Sequence, residues 1–417
     1  MLRSFLFLFI VLIASQINAQ NEQYARKVLD KLTSSSMRGR GYVKQGDKKA
    51  ADYIARQFKK NKLNSFGKDY FQHYDFPINT FPGKVEVIVN DKKLKAGVNY
   101  VVSSSSPSIK GTYNLVYVSD SVYNDSTFNL YLEKNEFDDN FLVIKGNFRK
   151  HYGKTISGLK GVIQLSDKKP WWHVSNGDSV ASTCWIKSTA EYFPAVAKSI
   201  SLNVENEFIE QHQTQNVIAY IKGKMDTSRF VVFTAHYDHL GMMGNKTYFP
   251  GANDNGSGTA MLLDLAAYYS KLENQPEKSI VFMAFSGEEA GLHGSTYYAD
   301  HPLFPLKAID FLINLDMVGT GSEGITIVNG KAYKDVFDDF VSINDQYNYV
   351  PEIKARGEAC NSDHCPFYKK GVKSIFIYTR GNEHTEYHTV FDTDDQFPFT
   401  VYNGLFELLT TYVSQLK

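Results

Sequence analysis

Residues 230–241, FVVFTAHYDHLG, and residues 251–272, GANDNGSGTAMLLDLAAYYSKL, read as an apolar strand, a polar loop and a helix. FVVFTAH is apolar almost throughout and ends in His236, with Asp238 two residues on. GTAMLLDLAAYYSKL, from Gly258, has the length and pattern of a helix. The pairing recurs downstream. SIVFMAF (279–285) precedes GSTYYAD (294–300), FLINLDM (311–317) follows, ITIVNG (325–330) precedes VFDDFVSIN (336–344), and SIFIYTR (374–380) precedes VYNGLFELLTTYVSQL (401–416). Strands alternating with helices in this way predict an α/β fold: a mainly parallel mixed sheet sandwiched by helices.

Upstream the pattern changes. Tyr24 to Leu32 and Lys48 to Phe58 carry apolar residues at helical intervals, whereas KVEVIVN (84–90) is β-rich. The run Ser103 to Ser106 before Pro107 reads as a linker, which puts a boundary near residue 100. From there to about Glu205, short β-branched segments (NLVYV, NFLVI, GVIQL) alternate with polar turns and no long helix is evident. The expected organisation is a main domain over 20–100 and 206–417, with a β-rich inserted module over 101–205. Trp171, Trp172 and His173 in that module read as core in preference to a binding patch.

MLRSFLFLFIVLIASQINAQ, at the start, has Arg3 as charged leader, an apolar run from Phe5 to Ala14 and a small residue, Ala19, at a cleavage point. This predicts a signal peptide over 1–19 and a secreted or periplasmic mature chain. Its apolar run is too short to cross about 30 Å of hydrocarbon, no other stretch reaches spanning length, and no cysteine follows Ala19 to take a lipid. Stable membrane insertion is therefore not expected. Lys plus Arg (45) balance Asp plus Glu (45), which leaves no global positive field to draw the chain onto nucleic acid. The composition, with 43% hydrophobic residues, 29 Phe and 27 Tyr, excludes wholesale disorder. Cys184, Cys360 and Cys365 are too few for a disulfide framework. In an oxidising compartment Cys360 and Cys365 could bridge locally, and two unpaired thiols are the alternative.

In open α/β sheets, sites form beyond the carboxyl ends of the strands, and the polar residues of this chain collect there. His236 and Asp238 follow one strand, Asp254 sits in GANDNGSG, Glu288 and Glu289 follow SIVFMAF, Asp316 ends FLINL, and Tyr387 and His388 lie beyond SIFIYTR. Singly, Asp254 could cap a helix and the Glu pair could be a solvated first turn. Asp316 is harder to explain so, because a carboxylate at the end of an apolar run is costly to bury unless paired or metal-bound. Histidine and carboxylate donors without cysteine suit zinc in an open, catalytic site. Five ligands exceed one catalytic ion, whereas two ions about 3.5–4 Å apart with a bridging carboxylate use five.

TAHYDHLG, GANDNGSGTA, FSGEEAGLHGS, NLDMVG and EYHTVFDT together resemble, in order and spacing, the zinc aminopeptidase family that includes aminopeptidase Y and the bacterial leucyl aminopeptidases. GRGYVKQGDKKAADYIARQF (39–58) looks like that family's opening loop and helix. The resemblance covers about residues 20–95 and 212–417. It implies two zinc ions, with His236 and Asp316 on one, Glu289 and His388 on the other, and Asp254 bridging. It makes Asp238 the partner of the His236 ring, Glu288 the general base and Tyr387 the oxyanion donor, and it implies that His364, in the S-D-H loop, touches substrate. Capping of a following helix by Ser362 or Asp363 is the other reading of that loop. GLKGVIQLSD (158–167) and FPAVAKSI (193–200) resemble part of a protease-associated domain, which would form a wall or lid over the cleft.

The implied activity is removal of residues from the amino end of peptides or small proteins. A carboxypeptidase and a glutaminyl cyclase of the same fold are alternatives, the latter disfavoured because cyclases usually carry Trp where this chain has Tyr387. A binding protein on an inactive scaffold is the non-enzyme alternative, although such proteins normally lose ligands.

Overall fold

Strand residues point alternately to opposite faces, so a strand covered on both sides must be apolar at nearly every position. The segment 230–236 meets that condition at the centre of the molecule. In the computed structural model, which describes residues 22–137, 139–175, 177, 179–194 and 196–416, Val231, Phe233 and Ala235 face one apolar core and Phe230 and Val232 the other. The predicted signal peptide lies outside the described residues.

The strand Asp226–His236 pairs in parallel with Lys278–Phe285 on one side and Ile309–Leu315 on the other, and Ser374–Thr379 continues the parallel run. Antiparallel Glu207–Ile221 and Phe71–Thr80 extend one edge, and Ile325–Val328 and Ile353–Ala355 the other, giving an eight-stranded mixed sheet. One face carries helical residues 22–33 and the helices Gly46–Lys60, Gly258–Tyr269, Lys334–Tyr347 and Tyr402–Gln415; the other carries His293–Asp300 and His364–Lys369. The predicted fold class is borne out. After Asp226–His236 the chain moves to a neighbour on one side, Lys278–Phe285, then crosses to Ile309–Leu315 on the other. Such a reversal opens a crevice at the carboxyl ends of the strands.

A second eight-stranded sheet holds the inserted module, in the order Lys92–Lys93, Val85–Val89, Ser199–Val204, Ile109–Tyr117, Phe141–Lys145, Gly161–Ser166, Cys184–Thr189, Tyr100–Val102. Three readings of this region need correction. The boundary expected near residue 100 does not coincide with the change of sheet, because Val85–Val89 pairs with Ser199–Val204 and Tyr100–Val102 with Cys184–Thr189. The serine run is no linker: Ser103, Ser104 and Ser106 are buried, and Asn79 donates to the carbonyls of Ser104 and Ser106. A helix, Asp125–Lys134, crosses from Ile109–Tyr117 to the parallel Phe141–Lys145; Asn124 caps it, but only Phe128 is buried, so its apolar pattern is faint.

The two sheets share one apolar cluster, in which Tyr42, Tyr74, Phe76 and Leu240 pack with Phe81, Val102, Ile163, Trp172 and Ile186. Cys360 and Cys365 form a disulfide and Cys184 is buried and free. Among the described residues no helix is long and apolar enough to cross a membrane.

Asp264 in the helix Gly258–Tyr269 is buried and accepts a hydrogen bond from the Tyr402 hydroxyl at 3.2 Å. Burial pushes its carboxyl up to about 7, against the pull of Tyr402 and Lys271. A carboxyl with a higher pKa folded than unfolded favours the fold while it stays protonated, and that advantage is lost as pH rises from about 4 through 7. Asp264→Asn should therefore be more stable than the parent at pH 8 by roughly 2–4 kcal/mol, with the difference closing toward pH 4. Denaturant unfolding across that range is the check, and a pH-independent difference would refute the assignment.

Candidate metal centre

His236 ends the central strand, Glu288 and Glu289 follow Lys278–Phe285, Asp316 follows Ile309–Leu315, and Asp254 lies in the loop before Gly258–Tyr269. His388 comes from the long loop after Ser374–Thr379. These residues, scattered in sequence, meet at a cavity of about 240 Å³ whose lining includes His236, Asp254, Glu288, Glu289, Asp316 and Tyr387.

The geometry separates into two donor sets. Nε2 of His236 lies 3.4 Å from Oδ1 of Asp254 and 3.4 Å from Oδ1 of Asp316. Nε2 of His388 lies 3.0 Å from Oδ2 of Asp254 and 3.2 Å from Oε2 of Glu289. Asp254 thus turns one oxygen to each histidine.

Nearly every inward atom has a partner fixing the far side of its group. Ser362 Oγ donates to Oδ2 of Asp316 at 2.7 Å, Asn314 Nδ2 donates to Ser362 Oγ at 2.8 Å, and Thr234 Oγ1 donates to Asn314 Oδ1 at 2.7 Å. Nδ1 of His239 is 2.6 Å from Oε1 of Glu289. Nδ1 of His236 is 3.2 Å from the Asp238 carbonyl oxygen, and Nδ1 of His388 is 2.9 Å from that of Trp172. Asp392 accepts from the backbone N–H groups of Asn253 (2.9 Å) and Asp254 (3.2 Å). Oδ1 of Asp316 and Nε2 of His388 are buried without a hydrogen-bond partner, and both face this centre. Orphaned nitrogen and oxygen donors with their far sides tied are what a zinc site requires, so the residues present fit the metal.

Electrostatics favour a cation here. Burial opposes charging of His236 and His388, yet Asp316 and Glu288 beside the first, and Glu289 and Asp254 beside the second, raise both rings above their usual value. Burial would raise Glu289, but His388 and His239 hold it down at about 2. Glu288 is pushed well up by burial, opposed by His236 and reinforced by Asp316, Asp363 and Glu289. Glu288 also lies within ligand reach of His236 and Asp316, and His239 of Asp254 and Glu289.

Two expectations shift. His364 is fully buried, its Nε2 is 2.8 Å from the Ala359 carbonyl oxygen, and its ring lies against Phe376; in its loop it is Asn361 that lines the cavity and Ser362 that steadies Asp316. The Asp238 carboxylate is 3.7 Å from the His236 ring, beyond a hydrogen bond. It accepts instead from the Tyr42 hydroxyl (2.7 Å) and from the backbone N–H groups of Glu288 (3.2 Å) and Glu289 (3.3 Å), fixing the turn that carries both glutamates. Tyr387 stands half-exposed at the cavity, its ring stacked on His388 at 3.8 Å.

The sequence reading passed over His239, Asp392 and Arg40, although the first two lie inside TAHYDHLG and EYHTVFDT. Arg40 is fully buried and donates to the carbonyls of Leu32, Tyr237, Pro250, Gly251 and Asp254. Burial lowers its pKa to about 10, with Asp392 and Asp254 acting the other way. It ties the opening loop to the strip carrying the bridging aspartate. The two backbones touch: a Cβ on Gly41 would fall 2.4 Å from Cα of Gly241.

Residues 216–413 match the sequence model described as Peptidase family M28. In sequence this stretch is similar to the family M28 peptidases. The chain is 35% identical over 200 residues to aminopeptidase YwaD of Bacillus subtilis, covering 43% of this chain and 40% of that protein. It is 41% identical over 113 residues to a probable zinc metalloprotease of Pyrenophora tritici-repentis, covering 26% of this chain and 23% of that one. These matches span less than half the length of either relative. The fold resembles BSAP, a zinc aminopeptidase from Bacillus subtilis, with a TM-score of 0.70 and 22% identity over 95% of this chain and 96% of that one.

Arg40→Lys keeps the charge but has three donors for five carbonyls and no planar fork. It should lower stability by about 2–4 kcal/mol, since each buried acceptor left unpaired costs about 1–3 kcal/mol. A stability within about 0.5 kcal/mol of the parent would show that the guanidinium does not hold this loop.

Proposed function

We propose that the chain is an exported di-zinc aminopeptidase acting on peptides or small proteins, with the inserted module as a wall of its cleft. The observation that carries the two-ion reading is Asp254, whose oxygens face separate donor sets on His236 and His388. His236, Asp316 and Asp254 would hold one ion, and Glu289, His388 and Asp254 the other. Zinc bound there would polarise a substrate carbonyl and bring the pKa of a coordinated water toward about 7.

The remaining chemistry belongs to side chains. Glu288 reaches the cavity, with Oε2 3.9 Å from Nε2 of His236. Burial, then Asp316, Asp363 and Glu289, raise it against the pull of His236 in the metal-free chain, and as the carboxylate it is placed to take a proton from the attacking water and return it to the leaving amine. Tyr387, at the cavity with its hydroxyl held protonated by burial and by the nearby carboxylates Asp254 and Glu289, donates to the developing oxyanion. The amino end of the substrate as the cavity's occupant is supported by the 35% identity over 200 residues to aminopeptidase YwaD.

Arg356 lines the same cavity and favours the carboxypeptidase reading in one respect, since a guanidinium pairs with a terminal carboxylate. Aminoacyl and carboxy-terminally exposed model peptides, assayed side by side, separate the two. Export is supported by the leader-like residues 1–19 and by the Cys360–Cys365 bridge, which suits an oxidising compartment.

Metal analysis of the active mature protein should find about two zinc ions per chain, and a chelator should abolish hydrolysis. One tightly held ion in a fully active preparation rejects the di-zinc reading.

Glu288 and Glu289 separate base from ligand. Glu288→Gln should lower kcat by about a hundredfold or more with zinc content and KM little changed, whereas Glu289→Gln should loosen one ion. The reverse pattern exchanges the two roles, and unchanged turnover in both variants sinks the hydrolase reading.

A further inference from the structure

We propose that the inserted module is a working part of the metal centre: through the backbone of Trp172 it sets the ring of His388, so that docking of the module and occupancy of the His388 site are linked. The inference rests on the reading of His388 as a metal ligand.

His388 needs an external support. It lies between the strand Ser374–Thr379 and the helix Tyr402–Gln415, in a loop without regular secondary structure. Its backbone takes φ 55, in the left-handed region that is uncommon for a non-glycine residue. Two hydrogen bonds with Trp172 of the inserted module hold the residue there. The Trp172 N–H donates to the His388 carbonyl at 3.0 Å, and His388 Nδ1 lies 2.9 Å from the Trp172 carbonyl oxygen. A carbonyl can only accept, so it fixes the proton on Nδ1 and leaves the Nε2 lone pair turned to Asp254 and Glu289.

The support is itself anchored in the module. The Trp172 indole N–H donates to the Val102 carbonyl at 2.7 Å, on the strand Tyr100–Val102, while its ring stacks on Phe249 of the main domain with centroids 4.9 Å apart. On either side of the backbone pair, Lys169 meets Glu386 at 3.0 Å and its ammonium lies 4.7 Å from the centre of the Phe391 ring. The other outer partners, Asp238, His239 and Ser362, all belong to the main domain. Among the described residues, His388 is the one proposed ligand that takes its outer partner from the module.

Linkage then works both ways. If the docked module favours the His388 orientation that binds metal, metal at that site must favour the docked module by the same factor. The test uses the full mature protein, with zinc and after stripping with a chelator. Hydrogen exchange of the amides in 169–173, that of Trp172 above all, should accelerate about tenfold or more on stripping, while the module's distant helix Asp125–Lys134 stays unchanged. Trp172→Ala keeps the carbonyl but loses the indole anchors that place it, and should weaken zinc at one of the two sites by about tenfold, the low end of the range for losing a ligand's outer partner, and leave the other site as it was. Trp172→Phe keeps the ring and should recover part of the difference.

Equal protection of 169–173 with and without metal overturns the proposal, even if Trp172→Ala does not fold. Equal weakening of both sites in Trp172→Ala overturns it too, since that marks general destabilisation. A parent protein that binds no zinc at all rejects the reading of the site itself, and this inference with it.

Discussion

The structure depends on a concentration of negative charge that water cannot relieve. Asp238, Asp254 and Asp316 are buried beside Glu288 and Glu289 at one end of the sheet. Taking a carboxylate out of water costs several kcal/mol, and placing several together adds their repulsion. The fold answers in two ways. Donors reach the outer oxygens, as Ser362, His239 and Tyr42 do for Asp316, Glu289 and Asp238. The inner oxygens face two histidines, whose rings are drawn toward the charged form. What remains is an inward set of donors whose natural complement is divalent metal.

That arrangement needs rigid supports, and they are ranked by distance from the reacting centre. The parallel strands fix His236, Asp316 and the turn of Glu288 and Glu289 by their register, and a buried chain from Thr234 through Asn314 to Ser362 ties two of these strands to the loop that steadies Asp316. Asp254 lies in a loop, so its support must come from elsewhere. Arg40 gathers the carbonyls of that loop from one side, and Asp392 takes its N–H groups from the other. A buried guanidinium facing only carbonyls is costly by itself, and the surrounding carboxylates offset part of that cost.

The α/β architecture and the residue types that meet at the candidate centre were legible because both are written in local pattern: apolar runs for strands covered on both faces, and acids or histidines at their ends. The sheet boundary was not, because Val85–Val89 and Tyr100–Val102 look like any strands, and their partners at 199–204 and 184–189 are chosen by packing far along the chain. The S-D-H loop misled for a related reason. Sequence gives the residue types, but the turn of the loop decides that Ser362 points to Asp316 while His364 points away to Ala359. Trp172 is the extreme case. Reading it as core was sound for its indole, yet its part in the centre is played by backbone atoms that any residue carries.

An inserted module is usually treated as an accessory that can narrow a cleft without altering what the cleft does. Here the contacts do not divide that way. The apolar cluster between the sheets includes Tyr74, Phe76 and Leu240 of the main domain as well as Val102, Trp172 and Ile186 of the module, so neither sheet finishes its core alone. Tyr42, in that cluster, also donates to Asp238, and Asp238 in turn accepts the N–H groups of Glu288 and Glu289. Packing between the modules is therefore one step from the turn that carries the proposed base and one ligand. It reaches the other side of the centre through Trp172 and His388. A shift of the module that loosened this shared core would act on both sides of the cavity at once, because the cluster and the site share the residues that orient them.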